Sequence, residues 1–546
     1  MATIVAQSPG NEAPDNQQVA NDTASVVSEI AAPASGVLPP DSSAGMTTKV
    51  VRGGLWTLGG QGVTMLAALL ATPFVIRLLG AEQYGVLSLI NVLIGYLTFA
   101  DLGMGMASTR FGGEAFAHND RRGEAAVIWT SLAIAVVPAM LIAVMLAVAA
   151  APIVQYALNL PVHLQDMAVL ALRITALGFV FRIIAGVMNT PQLVRLRMDW
   201  NTLIGSGCLV AQLLAVPVVL VFGGGLIGAV LIVVGAALAG ALLHGLVASR
   251  LLPDIIQPQI RRNLIGPLSR FGAGLVVSSL AGMLLMHAEK FFIVRLASVS
   301  SLAYYSVAFN MAWPLAAVPM AMASSTFPAF SRLQAETDRA PLERLYSRAI
   351  RGNLLWIAPA GLLLLAVAKP FFTLWAGAEY GRESTLPFYI LAAGWMLNII
   401  AYAPYMLLMA YGRSDIVARI HLSELLPYLV GAALLTYYFG IIGAAIAWSL
   451  RTLVDTLLFV VIARRLAGFS ASLFPTHKGS YGLALASLAI PIGLVFSGAA
   501  LAVIASATLM ALALYGAIVW TRVLAREERQ WLQAMLRWRG LARAKI

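Results

Sequence analysis

The chain has 546 residues, of which 60% are apolar and only 11% are charged, and its formal net charge is +12. Ordinary globular domains carry about 25% charged residues. This composition therefore excludes a water-soluble particle, and it excludes disorder over most of the chain. We predict a polytopic membrane protein. The single cysteine, Cys208, excludes a disulfide framework within one chain.

Residues 1–46 precede the first apolar stretch and contain five acidic residues but no Lys or Arg. A secretory signal needs a basic start followed by an apolar run, and this segment has neither. We predict a disordered cytoplasmic tail here. At the other end of the chain, residues 525–546 are predicted to form a basic cytoplasmic tail.

Between the tails, apolar runs recur that are long enough to cross a hydrocarbon core of about 30 Å, which takes about 20 residues per helix. The fold class is therefore all-α, with about fourteen transmembrane helices. They are predicted at 55–76, 86–108, 126–150, 167–188, 202–222, 226–249, 271–294, 302–326, 350–372, 386–410, 415–437, 441–463, 481–498 and 500–521.

The distribution of cations supports this count. Most of the 36 Lys and Arg residues fall in alternate loops, as the positive-inside rule requires of cytoplasmic loops. Both termini are then cytoplasmic, and the excess charge faces anionic lipid rather than nucleic acid.

An internal repeat divides the membrane region. When the chain is shifted by 218 residues, Arg52 aligns with Arg270, Gly54 with Gly272, and Arg77 with Arg295. We predict an N-terminal six-helix bundle at 47–250 and a C-terminal six-helix bundle at 251–466, followed by an extra helix pair at 467–524. Because each bundle has an even number of spans, both bundles have the same orientation in the membrane. A pseudo-twofold axis along the membrane normal then relates them. In transporters built this way the binding site lies between the repeats.

One stretch carries a family resemblance. The residues from Arg77 to Leu89, R-L-L-G-A-E-Q-Y-G-V-L-S-L, continue through Y-L-T-F-A-D-L-G at 96–103 to Arg110 and Phe111. The pattern L-G-x-x-x-Y-G followed by D-L-G resembles the first hairpin of Wzx-type polysaccharide flippases. These belong to the polysaccharide transporter family of the multidrug/oligosaccharidyl-lipid/polysaccharide superfamily.

The resemblance implies a non-enzymatic transporter in the bacterial inner membrane. Two six-helix bundles would surround a central cavity and move undecaprenyl-diphosphate-linked oligosaccharide by alternating access, for exopolysaccharide or O-antigen synthesis. Such flippases usually have twelve spans. Lipid II flippases share the extra helix pair, and lipid II is therefore an alternative substrate. Besides the lipid-linked substrate, membrane lipids and a polysaccharide polymerase with its co-polymerase are candidate partners.

Cationic residues at helix entrances are candidates for binding the diphosphate. Arg52 and Arg270 are related by the repeat and are the preferred pair, with ordinary anchoring at the membrane surface as the competing interpretation. In the seventh span, Lys290 and Glu289 are adjacent and point in different directions, so at least one is expected to line the cavity. His287 is a candidate for proton coupling because histidine titrates near neutral pH, or else it is a packing residue.

Other charged residues also lie within predicted spans. Asp101 is a candidate gating or coupling residue, with a helix–helix contact to Arg182 or a loop arginine as the alternative. Arg451 and Asp455 are four residues apart and are predicted to form a structural ion pair. Glu424 has no evident partner on its own helix.

Other classes of function are less compatible with the sequence. It contains no G-x-x-x-x-G-K-[ST] phosphate loop, and its scattered histidines predict no metal site. The short outer loops disfavour a membrane polysaccharide polymerase. A multidrug cation antiporter of the same superfamily is the remaining alternative, with Asp101 as its acid. No bound cofactor is expected; H⁺ and Na⁺ are the candidate coupling ions.

Overall fold

The computed structural model describes residues 40–97, 101–158, 160–334, 338–469, 483, 485–524 and 529–530. The chain divides into two compact units, Met1–Leu55 and Trp56–Ile546. Within the described residues the secondary structure is helical, without strands. This confirms the all-α fold class.

Sixteen α-helices are named here in chain order. They are α1 Pro40–Leu97, α2 Met104–Ala117, α3 Arg121–Pro152, α4 Val162–Met188, α5 Thr190–Val194, α6 Met198–Val221, α7 Gly225–Leu251, α8 Arg262–Leu296, α9 Val299–Ala312, α10 Ala317–Leu333, α11 Ala340–Trp375, α12 Ala378–Glu383, α13 Thr385–Ala410, α14 Ser414–Ala467, α15 Ala489–Ser497 and α16 Leu501–Ile518.

Two glycines divide the longest helices. Gly80 lies inside α1 with φ 73° and ψ 170°, and Gly440 lies inside α14 with φ 56° and ψ −136°. Only glycine adopts positive φ without a steric cost from Cβ. The breaks fall between the predicted spans 55–76 and 86–108 and between 415–437 and 441–463.

The second predicted span is wrong as a continuous helix. The helix that enters it ends at Leu97, and α2 begins at Met104. Leu102 and Gly103 have φ of 50° and 69°, and the Asp101 carboxylate accepts a hydrogen bond of 2.7 Å from the Gly103 amide. A left-handed glycine beside a side chain that competes for backbone donors interrupts a helix.

The predicted N-terminal tail lies only partly within the described residues. Residues 40–46 begin α1, and proline is favoured at the first position of a helix, which Pro40 occupies. Residues 1–39 of that tail and 531–546 of the basic C-terminal tail lie outside the described residues.

Nine helices of the described chain are long and apolar enough to cross a membrane. Two of the nine, Arg52–Gly95 and Ser414–Ala467, contain the glycine breaks. The exact number of fourteen spans stays a prediction, as do the two bundle boundaries.

Packing places α4 against α3 and α7, and α14 against α8 and α13. The extra pair, α15 and α16, packs on α11, where the Tyr515 hydroxyl donates to the Leu355 carbonyl at 3.0 Å. Contacts between the predicted halves run along α8, which packs on α2 and α3. α8 thus packs against helices of both predicted halves.

A close approach on α8 yields the first prediction. A Cβ at Gly272 would lie 2.0 Å from the Leu102 carbonyl oxygen, whereas a Cβ at Gly282 on the same helix meets no atom within 4 Å. We expect Gly272→Ala to destabilise the protein by about 1–3 kcal/mol, as overpacking does, and to lower its Tm in detergent.

Gly282→Ala is the matched control and should keep the Tm or raise it slightly, because alanine is the better residue inside a helix. Equal Tm values for the two variants would contradict the close approach of α8 to Leu102.

Candidate functional site

The predicted cavity residues Glu289 and Lys290 lie on α8 and are enclosed by α9 and α14. Their exposed fractions are 0% and 4%. The Glu289 carboxylate accepts hydrogen bonds from the Tyr428 hydroxyl at 2.6 Å and the Tyr305 hydroxyl at 3.2 Å. Adjacent residues on α8 therefore diverge as expected, but Glu289 is directed into helix packing.

Lys290 has a separate set of partners. Its Nζ lies 3.0 Å from His287 Nδ1 and 4.3 Å from the centre of the Phe309 ring. Because an ammonium group only donates, Nδ1 accepts, and the imidazole of His287 is neutral in this arrangement. The ring face of Phe309 adds a cation–π contact. His287 thus positions Lys290, and its predicted coupling role stays a prediction.

The predicted ion pair between Arg451 and Asp455 is replaced by contacts across the break at Gly440. Arg451 Nη1 lies 3.8 Å from Glu424 Oε2, and Asp455 Oδ1 lies 3.8 Å from His421 Nε2. Both partners precede the break, whereas Arg451 and Asp455 follow it. Spacing along one helix predicted the wrong pair because the two segments of α14 face each other.

Asp101 does not form the predicted contact with Arg182 among the ion pairs of the described residues. Its carboxylate binds the Gly103 amide instead. Arg270 lies exposed on α8. Arg52 is also exposed and belongs to the other compact unit, and the pairing of the two arginines stays a prediction.

A contact between α1 and the end of α11 was not expected from the sequence. The Arg77 guanidinium donates to the carbonyls of Leu374 at 2.7 Å and Trp375 at 3.2 Å, and the Trp375 indole donates to the Leu69 carbonyl at 2.8 Å. Arginine at a helix C-terminus stabilises its unpaired carbonyls. The recurrence of Arg77 as Arg295 in the repeat was the one signal that singled it out.

A second contact that the sequence did not reveal lies among α2, α3 and α5. Arg195, which follows α5, binds the Glu124 carboxylate with two hydrogen bonds of 2.5 and 2.9 Å and covers the Phe116 ring at 4.7 Å. Glu124 is fully buried. These residues line a cavity of about 110 Å³ with Asn119 and Arg121. Such a buried bidentate pair fixes the orientation of three helices.

The helices α2 and α8 also meet through aromatic side chains. The Arg110 guanidinium lies 4.8 Å from the centre of the Phe271 ring, and Phe111 packs edge-on against Phe271 at 6.2 Å. Phe271 is adjacent to Arg270, so the candidate diphosphate residue borders the contact between the predicted halves.

Among the described residues, no group of three or more His, Cys, Asp or Glu side chains is arranged to hold a metal ion. The charged groups of the site instead form two sets of contacts. One set surrounds Glu289 and Lys290 on α8, and the other joins the two segments of α14. Tyr428 connects the sets, because its hydroxyl binds Glu289 while its ring lies 5.9 Å from the Arg451 guanidinium.

Comparison with known proteins identifies a family. Residues 74–384 match the family model described as "Polysaccharide biosynthesis protein". A Shigella flexneri protein named as a candidate O-antigen transporter is 24% identical over 426 residues, which cover 75% of this chain and 96% of that protein. The similarity extends well beyond the first hairpin.

Two solved transporter structures share the fold. The lipid II flippase MurJ in an inward closed conformation has a TM-score of 0.64 and 11% identity, covering 86% of this chain and 99% of that one. An inward-facing multidrug resistance transporter of the MATE family in the MOP superfamily has a TM-score of 0.61 and 15% identity, covering 74% and 94%. At these identities the likeness shows the fold alone.

The hydrogen bond from Tyr428 to Glu289 yields the second prediction. We expect Tyr428→Phe to destabilise the protein by about 1.5–3 kcal/mol, because a hydrogen bond to a buried charged group is lost. Thermal unfolding in detergent measures the effect. Tyr438→Phe is the control, since Tyr438 is 70% exposed and should leave the Tm nearly unchanged. A Tyr428→Phe protein as stable as the control would argue against an ionised Glu289 at this site.

Proposed function

The chain belongs to the polysaccharide biosynthesis protein family, and from that premise we propose that it is a flippase for a lipid-linked oligosaccharide. The substrate would be an undecaprenyl-diphosphate-linked sugar unit, moved across a bacterial inner membrane for exopolysaccharide or O-antigen synthesis. The observation that carries the proposal is the match over 96% of the length of the O-antigen transporter relative, on a transporter fold.

The physical task fits such a chain. The polar head of the substrate cannot cross hydrocarbon unaided, whereas its polyprenyl tail is stable there, so the protein has to shield the head without any covalent chemistry. A path between the two predicted halves meets this need if their contacts break at one end at a time.

Contacts of this kind exist on the helices that join the halves. Arg77 and Trp375 connect α1 to α11, while Gly272 on α8 approaches the Leu102 carbonyl. The first contact uses hydrogen bonds to backbone carbonyls, and the second is a close backbone approach without a side chain on the α8 side. We propose that these two regions are the gates of an alternating-access cycle.

Substrate contacts are assigned by charge. Arg270 is exposed beside the α2–α8 contact and is proposed to bind the diphosphate, since a guanidinium binds phosphate oxygens bidentately. Arg52, its counterpart in the repeat, is proposed for the same role. Lys290 and Glu289 are proposed to act indirectly, through the packing of α8.

Lipid II is the second candidate substrate. The observation that favours it is the pair α15 and α16, which packs on α11 in addition to the helices of the two predicted bundles, together with the coverage of 99% of the lipid II flippase structure. The basic tail at 525–546 is proposed to contact anionic lipid or a polysaccharide polymerase.

Deletion of the gene tests the proposal and its alternatives. A flippase defect should leave undecaprenyl-linked sugar on the cytoplasmic face, with drug sensitivity unchanged. Raised drug sensitivity with normal glycan would identify a multidrug antiporter, and accumulation of lipid II would identify the peptidoglycan precursor as substrate. Single sugar units accumulating on the periplasmic face would indicate a polymerase defect and contradict the flippase.

Arg270→Ala yields the residue-level prediction. We expect glycan export to fall about ten- to a hundredfold, because loss of a hydrogen bond to a charged group corresponds to about 1.5–3 kcal/mol. Protein abundance should stay normal, since the side chain is exposed. Export is measured as surface glycan in a deletion strain that expresses the variant.

Arg262→Ala is the control, because Arg262 is exposed at the first residue of the same helix. It should export normally. Normal export by the Arg270→Ala strain would remove the diphosphate role of this arginine, while the flippase assignment would still depend on the deletion experiment.

A further inference from the structure

Four charged or titratable side chains meet where the two segments of α14 face each other across Gly440. They are His421 and Glu424 before the break and Arg451 and Asp455 after it, here called the α14 cluster. Their closest contacts are 3.8 Å, between Arg451 and Glu424 and between His421 and Asp455.

The α14 cluster contains more negative charge than its fixed positive charge balances. Two carboxylates share one guanidinium, and a neutral His421 adds nothing. The side chains of Glu424 and Asp455 are only 4% and 5% exposed. Burial of an uncompensated carboxylate is strongly unfavourable, so the cluster is stable when it takes up one further positive charge.

Polar atoms in the cluster lack the hydrogen-bond partners that such a ligand would supply. Within the described part of the chain, Glu424 Oε1 and Oε2, Asp455 Oδ1 and Arg451 Nε are buried without a hydrogen-bond partner. Buried polar groups in native proteins are almost always hydrogen-bonded. Four unsatisfied atoms in one place therefore indicate a site that binds a proton or other small polar species.

Within the part of the chain that the structure describes, side chains of the neighbouring helices do not supply the missing charge. On α8, Glu289 and Lys290 are adjacent and have opposite charges, and Glu289 reaches the cluster only through Tyr428. The rings of Tyr428 and Trp448 lie 5.9 and 5.8 Å from the Arg451 guanidinium.

On its other side, His421 packs edge-on against Phe459, which contacts Tyr405 of α13. Phenol and indole groups are neutral at physiological pH. The surplus of one negative charge therefore belongs to the cluster.

We propose that the α14 cluster binds one proton, shared by the Glu424 and Asp455 carboxylates and delivered through His421. The His421 side chain is 28% exposed, whereas the other three are at most 9% exposed, so it is the most accessible group of the cluster. Its imidazole can accept a proton and pass it to Asp455, with no bond made or broken except to hydrogen.

A proton fits this site better than a metal ion does. Among the described residues no group of three or more potential ligand side chains is arranged for a metal, and the guanidinium of Arg451 repels a cation placed between the carboxylates. Sodium-like hard cations need several oxygen ligands, whereas a proton needs one carboxylate oxygen.

Protonation has a structural consequence for α14. A neutral Glu424 no longer attracts Arg451, so the contact across the Gly440 break weakens and the angle between the two segments of α14 can change. The claim that this change is coupled to export depends on the proposed function, whereas the claim that the α14 cluster binds a proton does not.

Infrared spectroscopy of the purified full-length protein tests proton binding directly. We expect a pH-dependent carboxyl band from a protonated side chain in the wild type. Glu424→Gln and Asp455→Asn should each remove or shift it, and the double variant should abolish it. Asp415→Asn is the control, because Asp415 lies on the same helix but in an exposed ion pair with Arg413, and it should retain the band.

Retention of the band in the double variant would overturn the proposal. A band that responds to added NaCl at constant pH, and not to pH, would replace the proton by Na⁺ and would also overturn it.

Export by inside-out membrane vesicles under an imposed pH gradient tests the coupling role. We expect the wild type and Asp415→Asn to lose at least about tenfold in export rate when the gradient is removed, and Glu424→Gln to export slowly with or without it. A Glu424→Gln protein that keeps the full response to the gradient would overturn coupling through the cluster. Failure of the wild type to export any lipid-linked glycan would instead contradict the proposed function, while the infrared result would still decide proton binding.

Discussion

A charged side chain in the middle of a membrane helix costs about 2.5–3.5 kcal/mol on insertion scales, and this cost decides how the C-terminal helices pack. Glu289 is satisfied by two tyrosine hydroxyls from α9 and α14. Lys290 is satisfied by His287 and by the Phe309 ring. Because most of these partners come from other helices, each buried charge ties α8 to its neighbours and fixes its rotation in the bundle.

Hydropathy was sufficient to predict most of the fold. A helical segment covers each stretch of apolar residues that the structure describes, and the turns predicted near 80 and 440 coincide with positive φ at Gly80 and Gly440. The break at Leu102–Gly103 was missed, because D-L-G inside an apolar run satisfies the hydropathy pattern of a helix. The Gly103 amide at this break donates a hydrogen bond to the Asp101 carboxylate, and hydropathy carries no information about such local hydrogen bonds.

The ion pairs could not be predicted from spacing alone. Arg451 and Asp455 are neighbours on one helical face, yet each lies closer to a residue beyond Gly440, because the break places two segments of one helix side by side. The bidentate pair of Arg195 and Glu124 joins residues far apart in the sequence. Sequence indicated which residues need a partner, and only tertiary packing determines the partner.

The buried charges and the proposed gates occupy different places in the structure. Arg77 binds backbone carbonyls that are exposed to solvent when released, so opening that contact exchanges one set of hydrogen bonds for another at small net cost. The α14 cluster cannot open to water so easily, since three of its four side chains are buried. A change in its charge is therefore expressed as a change in helix packing. We therefore expect the Arg77 contact, as a proposed gate, to open at small cost, while the buried charges set which packing is stable.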